Sequence, residues 1–168
     1  MLRPTRAGLA ALALAAPALA GCSFASAQTS RPYDPSDGVS ASVGSVQVRN
    51  LLIVGSTAQA PGVVSGVLLN EGAQPVTLTL AAGTGAPVPV DLPAGTSVQL
   101  GVATTTAPVA GTPGAAVVQF AALGQPAGAV VPVTLSSAAG GTTTVQVPIL
   151  AATLEYATIT PAPVPAPS

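Results

Sequence analysis

The chain has 168 residues, of which 49% are hydrophobic, 5% charged and 2% aromatic, and its formal net charge is −1. That charged fraction is far below the roughly 25% of an ordinary globular domain. The length suits one domain plus a targeting segment. Nucleic-acid binding is excluded as a function, because it needs clustered Lys and Arg to release phosphate counterions.

Residues 1–21 have the features of a bacterial signal peptide. Arg3 and Arg6 form a positive n-region, and residues 7–19 form an apolar run with the length of a signal h-region. A membrane-spanning helix needs about 20 apolar residues, so this run is too short to be a permanent anchor. Removal of the segment leaves two arginines against five acidic residues.

The apolar run ends in Leu19-Ala20-Gly21-Cys22, which resembles the lipobox of bacterial lipoproteins. Cleavage between Gly21 and Cys22 would free an amino group for acylation, and the Cys22 thiol would carry diacylglycerol. Two or more acyl chains give stable anchoring. Cys22 is the single cysteine, so a disulfide framework is excluded. We predict a chain lipid-anchored at Cys22 on the extracytoplasmic face of the cell membrane; the alternative is an ordinary signal cut near residues 25–27.

The exported part divides into three predicted segments. Residues 22–43 hold the lipidated cysteine and a polar, Pro-bearing flexible tether. Residues 44–159 form the domain. Residues 160–168 alternate Pro with small residues, which predicts a disordered tail with polyproline II character.

Seven stretches of the central segment are strand candidates. Most of them alternate apolar with polar residues and are rich in Val and Thr, which is the pattern of half-buried strands, and the others are short apolar runs. Gly and Pro turn signals separate them. An antiparallel, immunoglobulin-like β-sandwich of about seven strands is therefore predicted. The stretches are residues 46–54, 63–69, 76–80, 98–102, 117–120, 131–135 and 145–149.

Strand side chains switch face at every residue, so the pattern also predicts which of them are buried. Those predicted to point inward are Val76, Leu78, Leu80, Val98, Leu100, Val102, Val131, Val133, Val145, Val147 and Ile149. Those predicted to point outward are Thr77, Thr79, Gln99, Thr134, Thr144 and Gln146. Three prolines that cannot donate to a ladder are expected on edges or at bulges: Pro89, Pro132 and Pro148.

Several short motifs occur in a familiar order: the lipobox, then residues 34–38, 46–54, 69–72 and 156–161. This order resembles small cell-envelope lipoproteins of actinobacteria, often left without an assigned function. They are distantly similar to the periplasmic copper chaperone domain, which implies a cupredoxin-like β-sandwich. That family binds Cu(I) through Met and His, ligands that suit the ion. Here the only Met is Met1 and there is no His, so the resemblance transfers no copper ligand.

Few side chains could carry catalysis or bind a metal. Nucleophilic catalysis with His is excluded, and a zinc site would lack His and a usable Cys. A carboxylate pair could hydrolyse glycosides, but the aromatic residues that stack sugars are missing. Two of the acids could join a weak Ca²⁺ site, although they fit a polar linker better. The two acids considered for the calcium site are Asp34 and Asp37. The other acids of the chain are Glu71, Asp91 and Glu155.

Three further positions have two interpretations each. Arg49, followed by Asn50 between two apolar runs, is either an anion or partner contact or an outward strand charge at a bulge. Tyr33 and Tyr156 flank the domain. They are either contact anchors or side chains that pack over its ends.

These observations predict a non-catalytic, membrane-anchored envelope lipoprotein whose domain is a binding or structural module. Its partner would be the membrane, through Cys22, together with an envelope protein, a glycan or a lipid, and no cofactor is predicted. The alternative is a degenerate relative of a copper chaperone that serves as a scaffold or small-ligand carrier without a metal site. A large exposed apolar patch would favour a partner surface, and a cavity with a few polar groups would favour a ligand carrier.

Overall fold

The computed structural model describes residues 34, 36–101, 114–159 and 161. Within them the chain forms strands and one short 3₁₀ turn, Leu154–Tyr156. No helix in these ranges has the length and apolar character needed to cross a membrane. The strands are β1 (Val39–Val43), β2 (Val46–Val54), β3 (Gly62–Asn70), β4 (Val76–Ala82), β5 (Val88–Leu92), β6 (Ser97–Leu100), β7 (Gly114–Ala116), β8 (Val118–Phe120), β9 (Val130–Ser137) and β10 (Gly141–Leu150).

All the strands belong to one sheet with the order β5-β4-β9-β10-β2-β3-β6-β7, while β1 pairs with β2 and β8 with β3. The pairs β10–β2 and β6–β7 are parallel, and the other pairs are antiparallel. β10 joins the two halves of the sheet. Its first eight residues pair with β9, whereas Ile149 and Leu150 pair with β2.

The two halves share one hydrophobic core. Leu78 and Leu80 of β4 are completely buried in the same cluster as Leu68 of β3 and Leu100 of β6. β4 has no hydrogen-bonded pairing with β3 or β6, so these side chains meet across the interior. The sheet therefore curves back over itself into an all-β domain, with the core between its halves.

The predicted alternation is confirmed where the structure describes it. The inward set is buried at eight positions, half-buried at Val76 and Val145, and outside the described ranges at Val102. Thr79 and Thr134 of the outward set are half-buried and its other members are exposed. The eight buried positions are Leu78, Leu80, Val98, Leu100, Val131, Val133, Val147 and Ile149.

The described ranges contain ten strands where about seven were expected. Each of the seven predicted stretches contains a strand, and β1, β5 and β7 are additional. β1 lies inside the predicted tether, because its small residues in Val-Ser-Ala-Ser-Val gave little hydrophobic signal. β5 contains Pro89, and β7 is only three small residues long. The folded part therefore begins before the expected residue 44.

The prolines follow their expected placement in part. Pro89 lies in the edge strand β5, as predicted. Pro132 and Pro148 lie in interior strands rather than in edge strands, but each lies where the ladder on one side of its strand has ended. The β4–β9 ladder stops at Val133 and the β10–β2 ladder starts at Ile149. Each of these prolines thus lies one residue beyond a ladder, where its missing N–H interrupts no strand pairing.

Candidate functional site

The residues predicted for cleavage and lipidation, Gly21 and Cys22, lie outside the described residues, and so does Tyr33. Their roles stay predictions that depend on the sequence alone.

Two of the acidic side chains stabilise local structure. Asp34 accepts a hydrogen bond from the backbone N–H of Ser40 to Oδ2, at 3.1 Å. Asp91 accepts one from the Thr77 hydroxyl to Oδ1 at 2.7 Å, across the β4–β5 pair. Both contacts are local, and neither places a carboxylate in a cavity with a second acid.

Asp37 and Glu155 line one shallow depression, but the five acids do not converge on a common centre. Asp37 accepts a hydrogen bond from the Tyr156 hydroxyl, whereas Asp34 accepts one from the backbone N–H of Ser40. Glu71 is exposed in the turn after β3. In the part of the chain that the structure describes, no three His, Cys, Asp or Glu side chains lie close enough to hold a metal ion. The weak calcium site considered for Asp34 and Asp37 gains no support from these contacts.

Arg49 and Asn50 form a bulge in β2. The register of the β2–β3 ladder shifts between Arg49 and Leu52, and Asn50 adopts a positive φ of 51°. Asn50 Oδ1 accepts the backbone N–H of Gly38 at 2.8 Å, and a Cβ at Gly38 would overlap the Asn50 backbone. The exposed Arg49 guanidinium donates to Gln47 Oε1 at 3.0 Å. The outward charge and the bulge are thus both present.

A cleft of about 620 Å³ lies at one end of the sheet. One wall is the turn between β4 and β5, residues 83–86, and the other is the loop after β8, residues 121–125. Phe120, Leu123 and Val131, which are only 3–4% exposed, form its apolar base. The cleft lies where two connections of the sheet face each other.

Backbone hydrogen bonds hold both walls in place. In the turn, Gly83 N donates to Pro132 O at 2.9 Å and Gly85 N donates to Ala82 O at 2.8 Å. In the loop, the N–H groups of residues 123 and 124 both donate to Ala58 O, at 3.2 and 2.9 Å. These hydrogen bonds engage backbone N–H groups of both walls, which in a flexible loop would bind water instead. The cleft is therefore preformed.

The side chains that line the cleft are uncharged. Three of them, Thr84, Gln119 and Gln125, end in polar groups, and the rest are small or apolar. Such a surface suits an uncharged, mainly apolar ligand, because nothing in the lining compensates an ionic charge. The remaining lining residues are Ala82, Gly83, Gly85, Ala86, Val88, Phe120, Ala121, Ala122, Leu123, Gly124, Val131 and Pro132.

Sequence reasoning did not identify the cleft. Its two walls are about 35 residues apart along the chain, and both are Ala/Gly-rich stretches without a recognisable motif. The signal in the sequence that could have indicated the cleft is composition, because both connections lack charge and lie next to apolar strands. Which connections face each other depends on the strand order.

A second feature joins the two ends of the domain. The Tyr156 hydroxyl donates to Asp37 Oδ2 at 2.8 Å, across 119 positions of sequence. This hydrogen bond, with smaller contributions from burial and from the charges of Asp37 and Glu155, raises the pKa of Tyr156 to about 12. Tyr156 therefore makes one specific contact, through its hydroxyl, with the residues before β1.

Comparisons with known proteins agree with this fold. No family model matches the chain, and no curated protein matches it. The chain is similar to the apo PCuAC domain from PmoF1, at a TM-score of 0.50 and 17% identity over 67% of this chain and 99% of that one. The copper-bound PCuAC domain from PmoF2 gives 0.48 and 14% over 67% and 98%. The apo PmoF2 PCuAC domain gives 0.47 and 13% over 67% and 95%.

At 17% identity, the likeness to the PmoF1 domain shows the fold alone. It confirms the part of the expected similarity that concerns the fold. Cu(I) as cargo needs soft thioether, thiolate or imidazole donors. The described ranges contain no Met, Cys or His. Their carboxylate, amide and hydroxyl oxygens do not fit that ion.

Proposed function

We propose that the chain is a lipid-anchored protein of the cell envelope, with a cupredoxin-like β-sandwich that serves as a non-catalytic binding module. The ligand that the geometry fits best is an uncharged, mainly apolar small molecule. One observation carries this proposal: the preformed cleft of about 620 Å³ with no charged side chain in its lining. Its volume falls within the roughly 300–1,000 Å³ of small-molecule sites.

Binding would draw on the apolar base of the cleft. A ligand that covers Phe120, Leu123 and Val131 gains roughly 25 cal/mol for each Å² of apolar surface removed from water. The hydrogen-bonded walls need no reordering, which lowers the entropic cost of association. Thr84 and Gln125 at the rim offer hydrogen bonds that fix the orientation of the ligand.

The test uses a soluble, unlipidated chain that begins at Ser23 and retains every described residue, together with the uncharged fluorophore N-phenyl-1-naphthylamine. We expect saturable fluorescence enhancement at equimolar stoichiometry. Ala122→Phe fills the cleft from its exposed wall and should weaken binding about tenfold or more, since each 1.4 kcal/mol of lost contact is a factor of ten. Ala73→Phe, at an exposed turn residue outside the cleft, is the matched control and should bind normally. Equal effects of the two variants, or no saturable binding, would refute the assignment.

A second candidate is a degenerate relative of a copper chaperone that acts as a scaffold. The likeness to the PCuAC domain from PmoF1 favours it, since the fold is shared while soft donors are missing from the described ranges. Titration of the soluble chain that begins at Ser23 with Cu(I) under reducing conditions should give no sub-micromolar binding. A tight, stoichiometric Cu(I) site would overturn both candidates and favour metal delivery.

A further inference from the structure

Leu154 combines two unusual properties. Its side chain is 86% exposed, and its backbone has a φ of +51°, a left-handed conformation that is rare and strained for a bulky residue. The 3₁₀ turn that it begins buries none of its residues, so core packing does not explain the leucine. Glycine would fit the backbone better. A side chain kept against local conformational preference and left in solvent points to a contact outside the domain.

The turn is fastened where the chain enters the domain. The hydroxyl of Tyr156, two residues after Leu154, donates to Asp37 at 2.8 Å. Asp37 and Leu154–Tyr156 line the same shallow depression of about 250 Å³. The β9–β10 hairpin lies at the opposite end of the ten-residue strand β10, roughly 33 Å away at 3.3 Å per residue. The exposed leucine and the N-terminal start of the folded part therefore share one side of the domain.

The proposed lipid attachment lies close to that side in sequence. Cys22 precedes Asp34 by twelve residues, which sets a maximum separation of about 40 Å between their Cα atoms. Tethering at such a length raises the effective concentration of a nearby surface to the millimolar range. A single leucine is too weak to anchor a free protein, so the contribution considered for it is to orient a protein that is already tethered.

We propose that Leu154 and its 3₁₀ turn form the membrane-facing contact of the anchored domain, with the leucine inserted at the headgroup level of a zwitterionic lipid surface. This inference rests on the lipid anchor at Cys22 in the proposed function. Tyr156, apolar in its ring and polar at its hydroxyl, suits the same interface. Asp37 and Glu155 beside it disfavour an anionic surface through like-charge repulsion.

The chain contains no Trp, so one introduced Trp reports on one position. The lipidated full chain is reconstituted in phosphatidylcholine vesicles that contain doxyl-labelled phosphatidylcholine. Leu154→Trp should be quenched several-fold more than Ala139→Trp, which lies in the exposed turn of the opposite hairpin. Equal quenching at the two positions, or stronger quenching at 139, overturns the orientation.

A second pair of variants separates membrane contact from folding. With Trp at Ala157, an exposed residue of the same turn, Leu154→Gly should reduce quenching several-fold. The thermal midpoint should stay equal or rise, because glycine relieves the strained backbone. Unchanged quenching would overturn the proposal. The intact mass of the same sample distinguishes failure of the orientation from failure of the anchor. Diacylglycerol at Cys22 without quenching at position 154 refutes only the orientation. Absence of lipid at Cys22 refutes both the anchor and the orientation.

Discussion

Asn70 shows how a single residue organises one end of this domain. It is completely buried, and its amide nitrogen donates to the carbonyls of Gln74, Leu92 and Pro93 at 2.8, 3.1 and 3.3 Å. Its oxygen accepts from the Ser45 hydroxyl and from the N–H of residue 72. A buried amide is tolerated only when its polar atoms are paired. Asn70 therefore fixes the turn after β3 against the β5–β6 connection.

At the same scale, the Tyr156–Asp37 hydrogen bond predicts a stability loss in alkali. The pKa of Tyr156 is raised to about 12 in the folded chain, against about 10 for an unperturbed tyrosine. Folding thus favours the protonated phenol, and the stabilisation is complete below about pH 10 and lost as the pH rises towards about 12. Tyr156→Phe should remove this component and cost about 1 kcal/mol or less at pH 7, because the bond is exposed.

The measurement is urea unfolding of the two proteins at neutral pH and across the alkaline range. Tyr33→Phe is the matched control, since Tyr33 is the only other tyrosine. Its stability should depend on pH in the same way as that of the wild type. Parallel stability curves for the wild type and Tyr156→Phe would contradict the assigned role of the hydrogen bond.

At the scale of the element, the strands obey a period of two. In β6, Ser97 is half-buried, the next residue is buried, Gln99 is exposed and Leu100 is buried. The two buried residues belong to the common core. In β10, Gln146 is exposed while its neighbour Val147 is completely buried. The inward and outward faces of these strands therefore make very different contributions to stability.

Leu100→Ala should lower the free energy of unfolding by about 2–5 kcal/mol, through lost transfer energy and an unfilled cavity. Gln146→Ala, which removes an exposed side chain of β10, should change it by no more than about 0.5 kcal/mol. Urea denaturation, followed by far-ultraviolet circular dichroism, measures both changes in the free energy of unfolding. The spectrum of the folded protein should show β structure with almost no helix. Similar costs for the two substitutions would mean that the assignment of faces is wrong.

For the whole molecule, the proposed function joins a folded module to a lipid anchor. The described domain supplies an uncharged cleft at one end and an exposed apolar turn at Leu154–Tyr156. Neither feature depends on catalysis or on a bound metal. The two would act together only if the chain is held at a membrane, so the proposed lipid attachment is the property to test on the intact protein.

The intact mass of the detergent-extracted protein should show diacylglycerol on Cys22 and no residues 1–21. Two or more acyl chains hold a protein stably on a bilayer, so Cys22→Ser should release the protein from the membrane fraction or mislocalise it. Fractionation followed by immunoblotting makes the comparison. A mature N-terminus at any residue other than Cys22 would disprove the anchor.

The sequence by itself determined the β class, seven of the ten described strands and the buried faces of those strands. Burial of a strand face is encoded locally, because side chains alternate regardless of which strand lies alongside. The same pattern failed for β1, β5 and β7, whose small residues or proline carry little hydrophobic signal. Their strand conformation is set by pairing with β2, β4 and β6.

Only the tertiary structure decided the candidate site. The cleft needs the turn after β4 to face the loop after β8, and the Tyr156–Asp37 contact joins residues 119 positions apart. The strained φ of Leu154 is likewise not visible in its residue type. Alternation specifies which side chains are buried but not which distant segments meet. The meeting of those segments is fixed by the strand order and by the shared core that closes the sheet over itself.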